Sequence, residues 1–254
     1  MARRFKVGVQ LHPQHCSVDD LRSAWMRADE MGVDSIWTWD HFFPLYGSPD
    51  GDHFEGTTLL AAMAATTRQA MIGLMVGCNS YRNPELMADI HRTIDHLSGG
   101  RAYFGIGSGW FERDYNEYGY EFGTARGRLD KLAADLPRIR ARLNALTPAP
   151  MGKLPLLIGG SGEKVTLKLV AQYADAWNSF GPPETWAAKS AVLDGWCADL
   201  GRNPKDIERT VCIDRKDIER IDAYVEAGAT HLILMLGRPF DFSDVEAMLA
   251  AADS

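Results

Sequence analysis

The stretch KVGVQLHPQH, residues 6–15, decides between the two folds that alternating strands and helices allow. Lys6–Leu11 is a short apolar run with two valines, closed by the proline at position 13, and it reads as a strand. A doubly wound open sheet would follow its first strand with a glycine-rich turn that receives a dinucleotide phosphate. Here the strand exits into Leu11-His12-Pro13-Gln14-His15. Working outward, further strands are expected at Ser35–Trp39, Met71–Cys78, Ala102–Ile106, Leu154–Ile158, Ala176–Phe180, Arg209–Ile213 and His231–Leu236. Helices are expected between them at Ser17–Met31, Thr57–Thr67, Pro84–Leu97, Arg126–Leu143, Glu163–Tyr173, Pro183–Leu200, Lys216–Ala227 and Ser243–Ala251. Ser17 caps the first of these, Asp19 and Asp20 suit its positive end, and Gly32 stops it. Eight strand–helix units of about 32 residues match a (β/α)₈ TIM barrel, a fold that typically takes about 250 residues. The expectation is α/β, a single barrel domain over residues 1–254. TPAPMGK, residues 147–153, reads as a loop feeding the fifth strand, not as a linker.

Composition narrows the partners. The chain has 254 residues, 46% hydrophobic and 24% charged, in the range of an ordinary globular protein able to bury a sizeable core. Net charge is −7, and no apolar run reaches the ~18 residues needed to cross a bilayer, so neither nucleic acid nor a membrane is expected as a partner. The start has two arginines and no apolar run of signal-peptide length. Cys16, Cys78, Cys197 and Cys212 show no CxxC spacing. A reduced cytoplasmic protein without a thiolate metal site is the reading.

Polar and glycine residues gather just past the expected strand ends, where a barrel of this kind builds its active site. His12 and His15 follow the first strand, and Asp40-His41-Phe42-Phe43 the second. Gly77-Cys78-Asn79-Ser80 close the third, Gly105–Trp110 the fourth, and Gly159-Gly160-Ser161-Gly162 the fifth. The last of these glycine runs lies between an apolar strand and a helix. Its amides and the Ser161 hydroxyl can hold a phosphate there, or it is simply a tight turn. Histidine is the residue type suited to moving protons near neutral pH, which makes His41 a candidate for proton transfer, although neighbours on a strand point to opposite sides, so Asp40 need not touch it. Gly105 and Gly107 either let a flat ligand approach the mouth or relieve crowding in the barrel wall. The run from Phe104 to Trp110 lacks the dinucleotide G-x-G-x-x-G register, and no helix start is visible across Trp110–Tyr120. No metal motif accompanies His12-x-x-His15, His91 and His96 are five apart, and no G-x-S-x-G elbow supports a serine triad. Most of the seven tryptophans read as packing residues.

Five stretches carry a resemblance. They are WDHFFPLYGSPDGDHFEGTTLLAAMAATT (39–67), IGLMVGCNSYRNPELMADIHRTIDHLSGGR (72–101), AYFGIGSGWFERDYNEYG (102–119), LPLLIGGSGEKVTLKLVAQYADAWN (154–178) and GATHLILMLGRPF (228–240). In this order the chain resembles the luciferase-like monooxygenase superfamily, in its branch that uses the deazaflavin F420. The resemblance implies a barrel with a flat tricyclic cofactor at its C-terminal mouth. It implies cofactor contacts from Asp40 and His41, from Val76, Gly77, Cys78 and Asn79, from Gly107, Ser108 and Gly109, and from Gly160, Ser161 and Gly162. It implies that His41 is the catalytic proton donor or acceptor, that a non-proline cis peptide lies within Met75–Cys78, and that the protein is a homodimer.

Two departures matter. Related sugar-phosphate dehydrogenases carry an acidic residue directly after the strand-four glycines, where this chain has Trp110, with Glu112 and Asp114 nearby as substitutes. The region between the seventh and eighth strands is shorter than in relatives. Lys164 and Lys168 are candidates to meet the acidic tail of F420. The leading expectation is an F420-dependent oxidoreductase passing hydride to or from a small organic substrate, with Phe42–Glu55 and Phe111–Thr124 lining the substrate pocket. An FMN-dependent monooxygenase of the same superfamily is the alternative. A degenerate, cofactor-free barrel acting as a binding protein is a third reading.

Overall fold

Ser17 and Asp20 exchange hydrogen bonds between side chain and backbone, a capping box that starts helix α1 (Val18–Glu30) directly after strand β1 (Lys6–Leu11). The computed structural model, which describes residues 3–254, continues this alternation. It places β2 (Ser35–Thr38), α2 (Gly56–Thr66), β3 (Met71–Leu74), β4 (Gly77–Cys78), α3 (Pro84–Ser98) and β5 (Phe104–Gly107) in turn. There follow α4 (Glu112–Tyr118), α5 (Ala125–Ala145), β6 (Leu156–Gly159), α6 (Thr166–Tyr173), β7 (Ala176–Ser179) and α7 (Pro183–Asp199). The chain ends through β8 (Glu208–Ile213), α8 (Ile221–Glu226), β9 (His231–Leu236) and α9 (Ser243–Asp253).

All strands pair in parallel, in the order β3-β2-β1-β9-β8-β7-β6-β5-β4. The sheet curls into a nearly closed barrel. A single bridge between Ile72 and Ala102 joins its ends, with Ile72 N donating to the Arg101 carbonyl and Tyr103 N to that of Ile72, both at 2.8 Å. The expected third strand over Met71–Cys78 is therefore two strands. β3 pairs with β2 and β4 with β5, and the Met75–Val76 cis peptide stands between them, inside the expected segment.

Three further expectations change. Trp110–Tyr120, read without a helix, contains α4, which has no side-chain cap. Burial of Asp114 and Tyr115, not a capping signal, holds it in place. The helix after β6 begins at Thr166, three residues later than Glu163, because the glycine turn runs on. Lys216–Ala227 splits into a 3₁₀ segment, Arg215–Arg220, and α8.

Two layers of apolar packing position the barrel. Between strands and helices lies a large core that includes Trp25, Trp177 and Trp186, with the last two stacked at 5.4 Å. Inside the barrel, Trp37, Met75, Tyr103, Leu157, Ala176, Cys212 and Ile233 form a second cluster. His91 packs flat on Phe104 at 3.9 Å, so it belongs to the core. Below the inner cluster, at the N-terminal ends of the strands, a polar plug closes the barrel. Ser35 Oγ lies 2.7 Å from His231 Nε2 and accepts from Trp37 Nε1, while Glu208 accepts from Lys6 Nζ and Tyr103 Oη. His231 Nδ1 is 3.2 Å from Glu208 Oε1. This Ser–His–Glu order resembles a hydrolytic triad, yet Ser35 and His231 are buried at the end opposite the open cavity, which leaves a structural role.

One carboxylate joins a helix to the barrel seam. Asp29 in α1 is buried and accepts from the amides of Arg68, Gln69 and Ala70 at 2.7, 3.0 and 2.8 Å, in the turn that feeds β3. Burial alone would raise its pKa, but these amides and the nearby Arg101 outweigh it and hold the pKa below the ordinary value. Because the folded pKa is the lower one, the stabilisation is complete above about pH 4 and is lost as pH falls through the folded pKa. Asp29→Ala is expected to lower the unfolding free energy by about 2–4 kcal/mol at neutral pH, by stranding those amides. The deficit relative to the unaltered protein should shrink in acid. Urea unfolding at neutral pH and near pH 3 measures both, and unchanged midpoints at neutral pH would contradict the assignment.

Candidate active site

Parallel strands leave their C-terminal ends at one mouth, and a cavity of about 460 Å³ opens there. Its side wall begins with a buried ion pair. Asp40, just past β2, accepts from Arg82 Nη1 at 2.6 Å, from Arg82 Nη2 at 2.9 Å and from the Cys78 amide at 2.8 Å. Arg82 also reaches Glu55 Oε1 at 2.7 Å. Glu55 in turn caps α2 by accepting from the Thr57 and Thr58 amides. Burial would raise the Glu55 pKa, yet the bonds from Thr57 and Thr58 outweigh it and hold it down at about 2. Burial opposes the charge on Arg82 too, and the two carboxylates prevail, pushing its pKa up. Asp40 therefore lines the cavity with its oxygens already engaged.

His41 turns the other way. Its Nδ1 lies 2.7 Å from Oδ2 of Asp114, which is wholly buried. Asp114 also accepts from Tyr81 Oη at 2.8 Å and, through Oδ1, from the Phe42 amide at 3.0 Å. A carboxylate at Nδ1 favours the tautomer with the proton there, so Nε2 is left for the cavity. Aromatic rings surround the imidazole edge to face: Phe111 at 5.4 Å, Trp110 at 5.5 Å and Trp39 at 6.1 Å. Tyr81 and Tyr115 pack with Cys78 beneath Phe42, Tyr120 and Phe122, the cluster that holds α4 over the site. Burial pushes the Cys78 thiol up to about 11, which keeps it neutral.

The floor is bare backbone. A Cβ on Gly107 would stand 2.8 Å from Val76 Cγ2, and one on Gly159 3.0 Å from both Val76 methyls, so Val76 fits against two positions that carry no side chain. Gln10, buried in β1, donates from Nε2 to the Met75 carbonyl at 3.0 Å and fixes this segment from below. Gly105 faces the Leu74 carbonyl, where a Cβ would come within 1.9 Å. It relieves crowding in the wall, while Gly107 lines the cavity. Beside the floor, Gly160 adopts φ +122° and its amide bonds to Asn178 O, whereas the Ser161 and Gly162 amides have no backbone acceptor among the described residues.

Of the residues singled out from the sequence, Asp40, His41, Val76, Gly77, Cys78, Gly107, Ser108, Gly109 and Gly160 line the cavity. Ser161 and Gly162 lie beyond its edge. Asn79 is buried and turned towards α5, donating to Asp135 Oδ2 at 2.9 Å. Lys168 sits over the Trp196 ring at 5.1 Å, away from the cavity lining. Gln10, Trp39, Tyr46, Met75, Tyr81, Asn178, Phe180 and Met235 also line it. Gln10 and Asn178 carry a readable signal, a polar side chain in an otherwise apolar strand. From the sequence Asp114 reads only as an acid near the site. Its part as the His41 partner depends on the uncapped α4.

A family model described as luciferase-like monooxygenase matches residues 3–226. The F420-dependent glucose-6-phosphate dehydrogenase of Amycolatopsis mediterranei (strain U-32) is 31% identical over 137 residues, covering 53% of this chain and 40% of that protein. The chain spans about half the length of such curated relatives or less. Among solved structures, an F420-dependent secondary alcohol dehydrogenase in complex with an F420-acetone adduct superposes with a TM-score of 0.87 at 17% identity, covering 100% of both chains. The oxygenating constituent of 3,6-diketocamphane monooxygenase from Pseudomonas putida, in complex with FMN, gives 0.77 at 15%, covering 100% of this chain and 98% of that one. At these identities the structural likeness speaks for the fold.

The ion pair yields a stability test. Arg82→Ala leaves Asp40 buried with one partner fewer and charge uncompensated, which is expected to cost about 3–5 kcal/mol. Denaturant unfolding measures it, and a loss of under about 1 kcal/mol would mean that Asp40 is not held as described.

Proposed function

The chain belongs to the luciferase-like monooxygenase family, and from that premise we propose an oxidoreductase that binds the deazaflavin F420 at the barrel mouth and exchanges hydride with a small organic substrate. The observation that carries this reading is the pairing of a bare-backbone floor with one oriented imidazole. Gly107 and Gly159 carry no side chain where they meet Val76, which suits this floor to a flat ring. The free Ser161 and Gly162 amides suit a phosphate on the cofactor's tail. Bound there, F420 supplies a ring carbon that takes or gives hydride.

The chain's own residues supply the remaining chemistry. Hydride leaving an alcohol carbon requires a proton to leave its oxygen, and carbonyl reduction requires one to return. We assign both to His41 Nε2, a reading supported by the Asp114 contact at Nδ1 and by the place of His41 in the cavity lining. Asp114 is a positioning residue. It holds Nδ1, stabilises the imidazolium when His41 carries the proton, and is itself steadied by Tyr81 and the Phe42 amide. The rings of Trp39 and Phe111 pack against the imidazole and lower the local polarity, which strengthens that pairing.

Purified protein is expected to bind F420 with micromolar or tighter affinity and to change its fluorescence. Retention of FMN with no response to F420 would transfer the reading to a flavin-dependent monooxygenase. His41→Ala should keep cofactor affinity while turnover falls by about 10²–10⁴-fold, the usual contribution of a positioned acid–base group. Undiminished turnover would remove His41 from proton transfer. Asp114→Asn should lower kcat about tenfold or more with little change in KM, since it disorients His41 without touching substrate.

A further inference from the structure

The mouth combines a rim of exposed aromatic rings with a lack of free cations. Tyr46, Trp110 and Phe180 all line the cavity and are 57%, 61% and 54% exposed. Three large rings left in water around one opening mark a surface completed by an apolar ligand. No lysine or arginine lines the cavity among the described residues. The arginines nearest it are committed elsewhere. Arg82 is held by Asp40 and Glu55. Arg113 pairs with Asp50 and lies over Phe43 at 4.1 Å. Arg128 donates to the Gly109 and Phe122 carbonyls and lies over Phe122 at 3.9 Å.

The charges that remain near His41 are negative. Asp40, Glu55 and Asp114 carry three, against one on Arg82. Burial pushes His12 and His53, on either side of Trp39, down to about 4, so both are neutral at neutral pH. A phosphorylated or carboxylate substrate would have to shed its water beside carboxylates that outnumber the one guanidinium, and that guanidinium is already held by Asp40 and Glu55, so nothing in the lining replaces that water.

Building on the proposed function, we propose that the substrate is uncharged, with an apolar, ring-sized body held by Tyr46, Trp110 and Phe180 and a single hydroxyl or carbonyl presented to His41. The aromatic rim binds the body by area and ring stacking, and the one polar contact orients the reacting carbon. The same surface rejects anionic sugars by leaving their charge without a partner.

The test compares ligands on the F420-loaded protein, read by cofactor fluorescence: 1-phenylethanol and cyclohexanol against glucose 6-phosphate and inorganic phosphate. At least one neutral alcohol should bind about 100-fold more tightly than glucose 6-phosphate, in keeping with an uncompensated charge. Glucose 6-phosphate binding as tightly as the alcohols, or the alcohols failing to bind, would overturn the proposal. Absence of F420 binding would instead count against the proposed cofactor. In that event, saturation-transfer NMR on the cofactor-free protein must give the same ligand order, or the proposal fails as well. Trp110→Ala removes an exposed ring that the fold does not need. It should weaken 1-phenylethanol about threefold or more while leaving the melting temperature unchanged. Unaltered affinity would overturn the rim as the seat of the ligand.

Discussion

The buried pair between Asp40 and Arg82 is the constraint on which the mouth depends. It joins the end of β2, the amide of Cys78 in β4, and the N-terminus of α2 through Glu55. β2 and α2 form one strand–helix unit, and β4 and Arg82 belong to the next, so the pair ties two neighbouring units together at the mouth. Its cost in desolvation is offset because nearly every lone pair finds a donor. With Asp40 held, the chain leaves the strand in one direction only, and His41 is delivered to Asp114. The proton transfer proposed for His41 thus rests on an ion pair that makes no contact with the imidazole itself.

A second consequence follows from the split third strand. β3 and β4 take different neighbours, and the segment between them, tied to β2 through Met75 N and Thr38 O at 2.7 Å, lines the cavity. Gln10 supports it from inside the barrel, and glycines on β5 and β6 clear the space above. The floor is therefore made of main chain and one valine. Tyr46, Trp110, Phe180 and His41 stand around this floor in the cavity lining, where the proposed ligand selection takes place.

Much of this arrangement was legible in the residues. Strands β1 and β9 fall where apolar periodicity puts them, because both are shielded from water on both faces and read as continuous hydrophobic runs. Asp40, His41 and the glycines could be located as strand-end residues. The partner of His41 could not. Asp114 sits in a helix with no cap and no sequence start signal, formed because Tyr115 packs among the rings of Tyr81, Tyr120 and Phe122. Asn79 shows the converse. Placed among the strand-end residues by its position, it turns outward and donates to the buried Asp135 in α5.

The sequence by itself determined the barrel, the end of it that carries chemistry, and most of the residues that reach that end. These are properties of period and order, which local residue pattern records directly. The tertiary structure alone decided which carboxylate meets which base. Asp40 and His41 are adjacent in the chain, yet a strand directs successive side chains apart, and each found its partner some 40 to 70 residues away, Arg82 and Asp114 respectively. It also decided the charge of the mouth. Arg82, Arg113 and Arg128 are counted as cations in any composition, and only their packing shows each one already held by a carboxylate, a carbonyl or a ring.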